Sequence, residues 1–269
     1  MKIGFVGGGN MAIALIGGML KRGYAATDIT VAEPLDTQRA RLTAEFAVNV
    51  EESAAEALHA DVIVLAVKPQ VMRQVLSAWP ALDAGACVLS IAAGIRARDI
   101  SRWLRGHGAV VRAMPNTPAL VGAGIAGLYA LPGASAAQRR QAESILAAVG
   151  DVVWVDDEGL IDAVTAISGS GPAYVFLLIE AMEAAARELG LNPETSRALA
   201  LRTFQGAAEL AVQDGGEPAE LRARVTSKGG TTERGIAALE AHGTRQAIAA
   251  AARAANDRAR ELGDMLGAD

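Results

Sequence analysis

One cysteine, Cys87, in a chain of 269 residues leaves no partner for an intrachain disulfide and fits a reducing compartment. Its neighbours Ala86, Val88, Leu89 and Ile91 mark it as a core strand residue rather than a reactive thiol. His59, His107 and His242 are scattered, and no His or Cys pair has ligand spacing, so no metal site is expected. Aromatic residues make up 4% of the chain and the net charge is −5, which removes both the stacking surface and the basic surface that nucleic-acid binding needs. Every apolar run is interrupted by Pro, Gly or charge before the roughly 20 residues of a spanning helix, so no membrane association is expected. The start, Met1-Lys2-Ile3-Gly4-Phe5-Val6-Gly7, reads as a strand entering glycines and not as a signal peptide. A cytoplasmic location is the expectation from these features together.

A hydrophobic content of 51% is ample for a buried core. The first half alternates short β-branched runs with amphipathic helical patterns, the signature of βαβ units. Strands are expected at 2–7, 29–33, 61–67, 87–92, 110–114, 126–129 and 152–155, with helices at 10–21, 37–46, 71–79, 98–104 and 136–149. The fold class that follows is α/β, an N-terminal Rossmann-like doubly wound, mostly parallel sheet. After Asp157 the strand signal stops and the chain becomes helical and rich in Ala and Leu, with helices expected at about 171–190, 194–213, 218–225, 231–241 and 244–262. The division expected is 1–157 for dinucleotide binding and 158–269 as an all-α domain for substrate binding and dimerisation. So apolar a helical half exposes too much surface for a monomer, which points to a homodimer or a higher homo-oligomer of dimers, the alternative being a self-contained bundle packed on the sheet.

Two helix starts carry anion-binding chemistry. Gly7-Gly8-Gly9-Asn10-Met11-Ala12 satisfies G-x-G-x-x-A between a strand and a helix. Gly7 allows the tight turn, Gly9 lets the backbone approach a pyrophosphate, and Ala12 permits close packing of helix on strand. The end of the second strand, where NAD and NADP are told apart, carries Glu33, suited to a ribose 2′-OH, but also Thr37, Arg39 and Arg41, suited to a 2′-phosphate. Ala66-Val67-Lys68-Pro69 ends the third expected strand at the edge where cofactors sit, and Lys68 is there either to add charge or as a solvated lysine. Late in the chain, Val225-Thr226-Ser227-Lys228-Gly229-Gly230-Thr231-Thr232 opens a helix with hydroxyls and glycines. Free N–H groups, hydroxyls and the missing Cβ atoms form a receptor for a small anion such as a carboxylate.

These motifs, with Met114-Pro115-Asn116-Thr117-Pro118 and Ser168-Gly169-Ser170-Gly171-Pro172-Ala173-Tyr174, stand in an order that closely resembles the Δ1-pyrroline-5-carboxylate reductases over nearly the whole chain. The resemblance implies hydride transfer from NADPH or NADH to the C=N carbon of a cyclic imino acid, yielding L-proline. It implies coenzyme contacts at Gly7, Gly8, Gly9, Asn10, Met11, Ala12, Glu33, Ala66, Val67, Lys68, Pro69, Asn116, Ser168 and Gly169. The substrate carboxylate would meet Ser227, Gly229, Gly230 and Thr231, and Thr232 would act as the catalytic residue at the ring nitrogen. Asn116 is equally explained as part of a rigid Pro-bracketed turn, and Ser168 as part of a helix-capping loop. Lys228 stands where many relatives have Pro, Ser53 where they often have Asn, and Glu33 where NADP-preferring relatives have a small hydroxyl residue. The competing readings are another small reductase, which would place Lys or Asp on the interdomain helix, and a noncatalytic dinucleotide sensor, which would not need the second anion-binding helix start.

Overall fold

Short runs of Val, Ile, Leu and Phe form the strands of a sheet covered on both faces, which is why three of them are buried at every position. The computed structural model describes residues 1–268. Its strands are β1 (Ile3–Val6), β2 (Ile29–Ala32), β3 (Asn49–Glu51), β4 (Val62–Leu65), β5 (Cys87–Ser90), β6 (Val110–Met114), β7 (Gly124–Ala130) and β8 (Gly150–Trp154). They form one sheet in the order β3-β2-β1-β4-β5-β6-β7-β8. The first six positions reproduce the 3-2-1-4-5-6 order of dinucleotide-binding sheets. All neighbours are parallel except β6 and β7, so β7 and β8 run against the rest.

Helices α1 (Asn10–Lys21), α2 (Asp36–Glu45), α3 (Pro69–Ser77), α4 (Ala97–Trp103) and α5 (Ala136–Leu146) link these strands. One cluster, with Leu15, Ile16, Met19, Leu42 and Ile145, packs on one face of the sheet, and another, with Met72, Leu76, Ile100 and Trp103, packs on the other. The β3 strand carries no apolar alternation and was not expected. Its residues Asn49 and Glu51 are exposed at the sheet edge, and of its three residues only Val50 packs against the core.

Beyond β8 come α6 (Leu160–Val164), a π-helical turn at Thr165–Gly169, α7 (Gly171–Glu188), α8 (Pro193–Asp214), α9 (Pro218–Arg224), α10 (Thr231–Ala241) and α11 (Thr244–Gly267). Compactness groups Met1–Ser170 with α11 from Ala254 onward, and Gly171–Arg253 as a second unit. By compactness α6 and the π turn go with the sheet unit. The end of α11 also returns there: Asp264 pairs with Arg96 at 2.6 Å, and the Gly267 carbonyl accepts from Arg102 at 2.6 Å.

Within the second unit only Ser196 and Ala200 are buried, while Phe176 is 65% and Leu177 63% exposed. Gly169, Gly171, Pro172, Glu180 and Glu183 break the apolar sequence between Leu160 and Glu188 as expected, but they do not stop the helix. Helical turns continue from Leu160 to Glu188, long and apolar enough to cross a membrane by length and composition alone. The π turn carries the helical path through Gly169-Ser170-Gly171-Pro172.

Candidate functional site

β1 lies between β2 and β4, where the strand order reverses, so the chain leaving β1 opens into a crevice at the carboxyl edge of the sheet. Gly7 has φ +100, and a Cβ there would lie 2.6 Å from the Ala66 carbonyl oxygen. The glycine loop and the Ala66-Val67 segment therefore touch, and only glycine fits. A Cβ on Gly9, in contrast, would meet nothing within 4 Å, so the backbone before α1 faces open space. Gly9 is the N-cap of α1 without a side-chain cap, and its carbonyl accepts the first ladder bond from Ile13 at 3.0 Å. The N–H groups of the first turn, including Asn10 and Met11, point from an uncapped helix start with its partial positive charge. This arrangement fits a dinucleotide pyrophosphate.

Glu33, 7% exposed at the end of β2, accepts from the Gly8 N–H at 2.9 Å and the Leu35 N–H at 3.0 Å. Its carboxylate thus braces the glycine loop. Two neighbours share that task, Gln38, which the sequence reading did not single out, and Arg39, which it read as suited to a 2′-phosphate. Gln38 donates its amide to the Gly8 carbonyl at 2.5 Å, and Arg39 donates to the Glu33 and Pro34 carbonyls at 2.9 and 2.8 Å while pairing with Asp36. Only the helical phase of α2, which turns Gln38 toward the loop, reveals this. Lys68 is the exposed N-cap of α3 and Pro69 its first residue.

Asn116 and Ser168 come together across 52 positions: the Asn116 amide donates to the Ser168 carbonyl at 3.2 Å. A Cβ on Gly169 would lie 2.6 Å from Met114 Cε, so the π turn packs on the end of β6. Beside it lies a buried charge cluster that sequence reading also missed. Arg112, 3% exposed, meets Glu158 and Asp162 at 3.3 Å each, and Glu158 accepts the Ala97 N–H at 2.5 Å. An arginine amid the apolar run of β6 was the available signal.

The second unit holds the other helix start. Gly230 is the N-cap of α10 with no side-chain cap, and Gly229 has φ +76. Of the N–H groups expected to face a carboxylate, that of Gly229 is given to Glu233 at 2.7 Å and that of Gly230 to the Ser227 carbonyl at 3.0 Å. Glu233, at the third helical position, reaches back as capping glutamates do. The N–H groups of Thr231 and Thr232 precede the first ladder bond, Arg234 N–H to the Gly230 carbonyl at 3.4 Å, and the Ser227, Thr231 and Thr232 hydroxyls have no partner among the described residues. Among those residues no group of His, Cys, Asp and Glu could hold a metal ion.

Sheet order, glycine loop and helical second unit define a Rossmann-type oxidoreductase. Residues 158–262 match the family model described as pyrroline-5-carboxylate reductase dimerisation, and residues 2–94 match one described as NADP oxidoreductase, coenzyme F420-dependent. The chain is 50% identical to the pyrroline-5-carboxylate reductase of Pseudomonas aeruginosa, covering 99% of this chain and 98% of that one. It is 42% identical to that of Haemophilus influenzae, over 97% of both. Among solved structures, the Coxiella burnetii pyrroline-5-carboxylate reductase superposes with a TM-score of 0.90 at 39% identity, covering 97% of this chain and 98% of that one. The Plasmodium falciparum pyrroline carboxylate reductase with NADP bound gives 0.84 at 29% identity, covering 98% of each. The chain belongs to the pyrroline-5-carboxylate reductase family.

Proposed function

We propose that this protein reduces L-1-pyrroline-5-carboxylate to L-proline, the last step of proline biosynthesis, with NADPH or NADH. The observation that carries this reading is the presence, in one chain of this family, of two separate helix starts whose N-cap glycine makes no side-chain cap, one built on glycines for a pyrophosphate and one on hydroxyls for a small carboxylate. A bound nicotinamide coenzyme supplies the hydride. The chain's own residues then have to bind, orient and stabilise charge.

Ser227 Oγ and the Thr231 and Thr232 N–H groups hold the substrate carboxylate. The Thr232 hydroxyl bonds the ring nitrogen and orients it. No carboxylic acid or histidine is needed as proton source if the imine binds protonated, since positioning and charge stabilisation remain as the protein's work. Gly7, Gly8, Gly9, Asn10, Met11 and Ala12 cradle the pyrophosphate, with Ala66, Val67, Lys68 and Pro69 flanking it. Glu33 stands at the ribose.

The exposed apolar faces of α7 and α8 are the homodimer surface, which would also explain a spanning-length helix without a membrane. A cytoplasmic location fits this assignment. The test is coenzyme oxidation by the purified protein with pyrroline-5-carboxylate, NADPH and NADH assayed separately and proline quantified. Proline formed in step with coenzyme consumed supports the reading; coenzyme binding without turnover refutes it.

A further inference from the structure

Asn116 is 8% exposed, and both ends of its amide are engaged: Nδ2 donates to the Ser168 carbonyl at 3.2 Å and Oδ1 accepts the Ile125 N–H at 3.0 Å. Ser168 sits in the π turn that joins α6 to α7, closed by the Ser170 N–H on the Thr165 carbonyl at 2.8 Å. In an α-helical ladder the Ser168 carbonyl would accept from the residue four positions on. That residue is Pro172, which has no N–H. The Ser168 and Thr165 hydroxyls cannot substitute, because they donate back to the Val164 and Ile161 carbonyls at 3.0 and 2.7 Å.

We infer that Asn116 is a positioning residue: its amide supplies the donor that Pro172 lacks and so locks the π turn, fixing the Ser168-Gly169 backbone at the carboxyl end of β6. A carbonyl left unpaired in this half-buried place is costly, and a π turn is a rare departure from the α-helical ladder, so an external donor helps to hold it. The second bond, to the first residues of β7, ties the same side chain to the sheet and makes the clamp rigid. The carboxyl edge of the sheet is where such folds read their coenzyme. The inference rests on the coenzyme-dependent reading above: a locked turn offers the nicotinamide half a preformed backbone, while the adenosine half is bound elsewhere, at the glycine loop.

The test uses the full chain. Asn116→Asp keeps the acceptor for Ile125 but turns an oxygen toward the Ser168 carbonyl. Asn116→Ala removes both bonds, and Asn116→Ala with Pro172→Ala returns an N–H to the helical position. Dissociation constants for ADP-ribose and for the intact reduced coenzyme are measured beside kcat and KM. In Asn116→Asp and Asn116→Ala, ADP-ribose affinity should stay within twofold, coenzyme affinity should fall about tenfold and kcat at least as much. Pro172→Ala should restore part of both losses in the Asn116→Ala background. Equal losses for ADP-ribose and coenzyme, unchanged coenzyme affinity, or no recovery with Pro172→Ala would each overturn the role. If Asn116→Asp does not fold, the Ala pair decides. A wild-type protein that binds coenzyme without reducing the imine would sink the reaction, and the affinity comparison would still judge Asn116.

Discussion

Replacing Gly230 by alanine puts a methyl carbon 2.5 Å from Ser227 Oγ and 3.1 Å from the Ser227 carbonyl oxygen. The backbone itself accepts alanine, since Gly230 has φ −83 and ψ 173. The collision is therefore confined to the Ser227 side, and the hydroxyl proposed to hold the substrate carboxylate must swing away. One hydrogen bond to a charged group contributes about 1.5–3 kcal/mol, so KM for pyrroline-5-carboxylate should rise about 10- to 150-fold. Stability should change by no more than about 1 kcal/mol, because alanine restricts the unfolded chain while its methyl crowds Ser227 and makes a poorer N-cap. Coenzyme affinity should not change. Gly229→Ala is the control: it meets no atom within 4 Å but sits at φ +76, so it costs about 1–2 kcal/mol of loop conformation without touching Ser227. Steady-state kinetics with substrate varied, and thermal melts beside them, separate the cases. If Gly230→Ala leaves KM within twofold, the hydroxyl is not at the carboxylate and the receptor assignment fails.

Thr232→Ala should lower kcat/KM about tenfold or more with coenzyme affinity intact, as steady-state kinetics and coenzyme titration will show, and loss of coenzyme binding would remove its assignment to the ring nitrogen. Glu33→Ser should raise the ratio of NADPH to NADH affinity at least tenfold, read by fluorescence titration, because a buried carboxylate repels a 2′-phosphate; an unchanged ratio would leave Glu33 its bonds to the Gly8 and Leu35 N–H groups alone. Arg112→Met strands Glu158 and Asp162 together in a largely buried place and should cost about 3–5 kcal/mol in denaturant unfolding, with a loss under 1 kcal/mol arguing that the cluster is wet. Burial pushes the Cys87 thiol from 9.0 up to about 12, so the folded protein should resist alkylation at pH 8. Since the unfolded thiol ionises first, stability is whole below pH 9.0 and is lost as pH rises toward about 12, a slope that Cys87→Ala should flatten in pH-dependent melts.

Most of the sheet was legible because buried parallel strands write themselves as β-branched runs, and the glycine loop because its context, strand before and helix after, is local. Strand β3 escaped because a three-residue edge strand with a single core-facing side chain, Val50, is too short to show an alternating pattern. The reversal at β7 escaped because strand direction depends on how the chain returns, not on the run itself. Around the site, the residue types were visible but their partners were not. Glu33 read as a ribose ligand proves to hold the Gly8 N–H, and Asn116 read as a coenzyme contact or a turn residue proves to hold a carbonyl 52 positions away. Gly229 and Gly230 read as free donors are engaged within their own loop, although Glu233 at capping distance was there to be read. Bonds over such separations follow from tertiary packing, which no local spacing records.

The most direct test of the central claim is the fate of the hydride. Reduced coenzyme carrying deuterium at nicotinamide C4, on each face in turn, is given to the protein with pyrroline-5-carboxylate, and the product is analysed by mass spectrometry and NMR. The account predicts that one of the two labels yields proline one mass unit heavier, with deuterium on the ring carbon across the nitrogen from the carboxylate-bearing carbon. Proline free of deuterium from both labels, or no proline from a protein that binds the coenzyme, would contradict it.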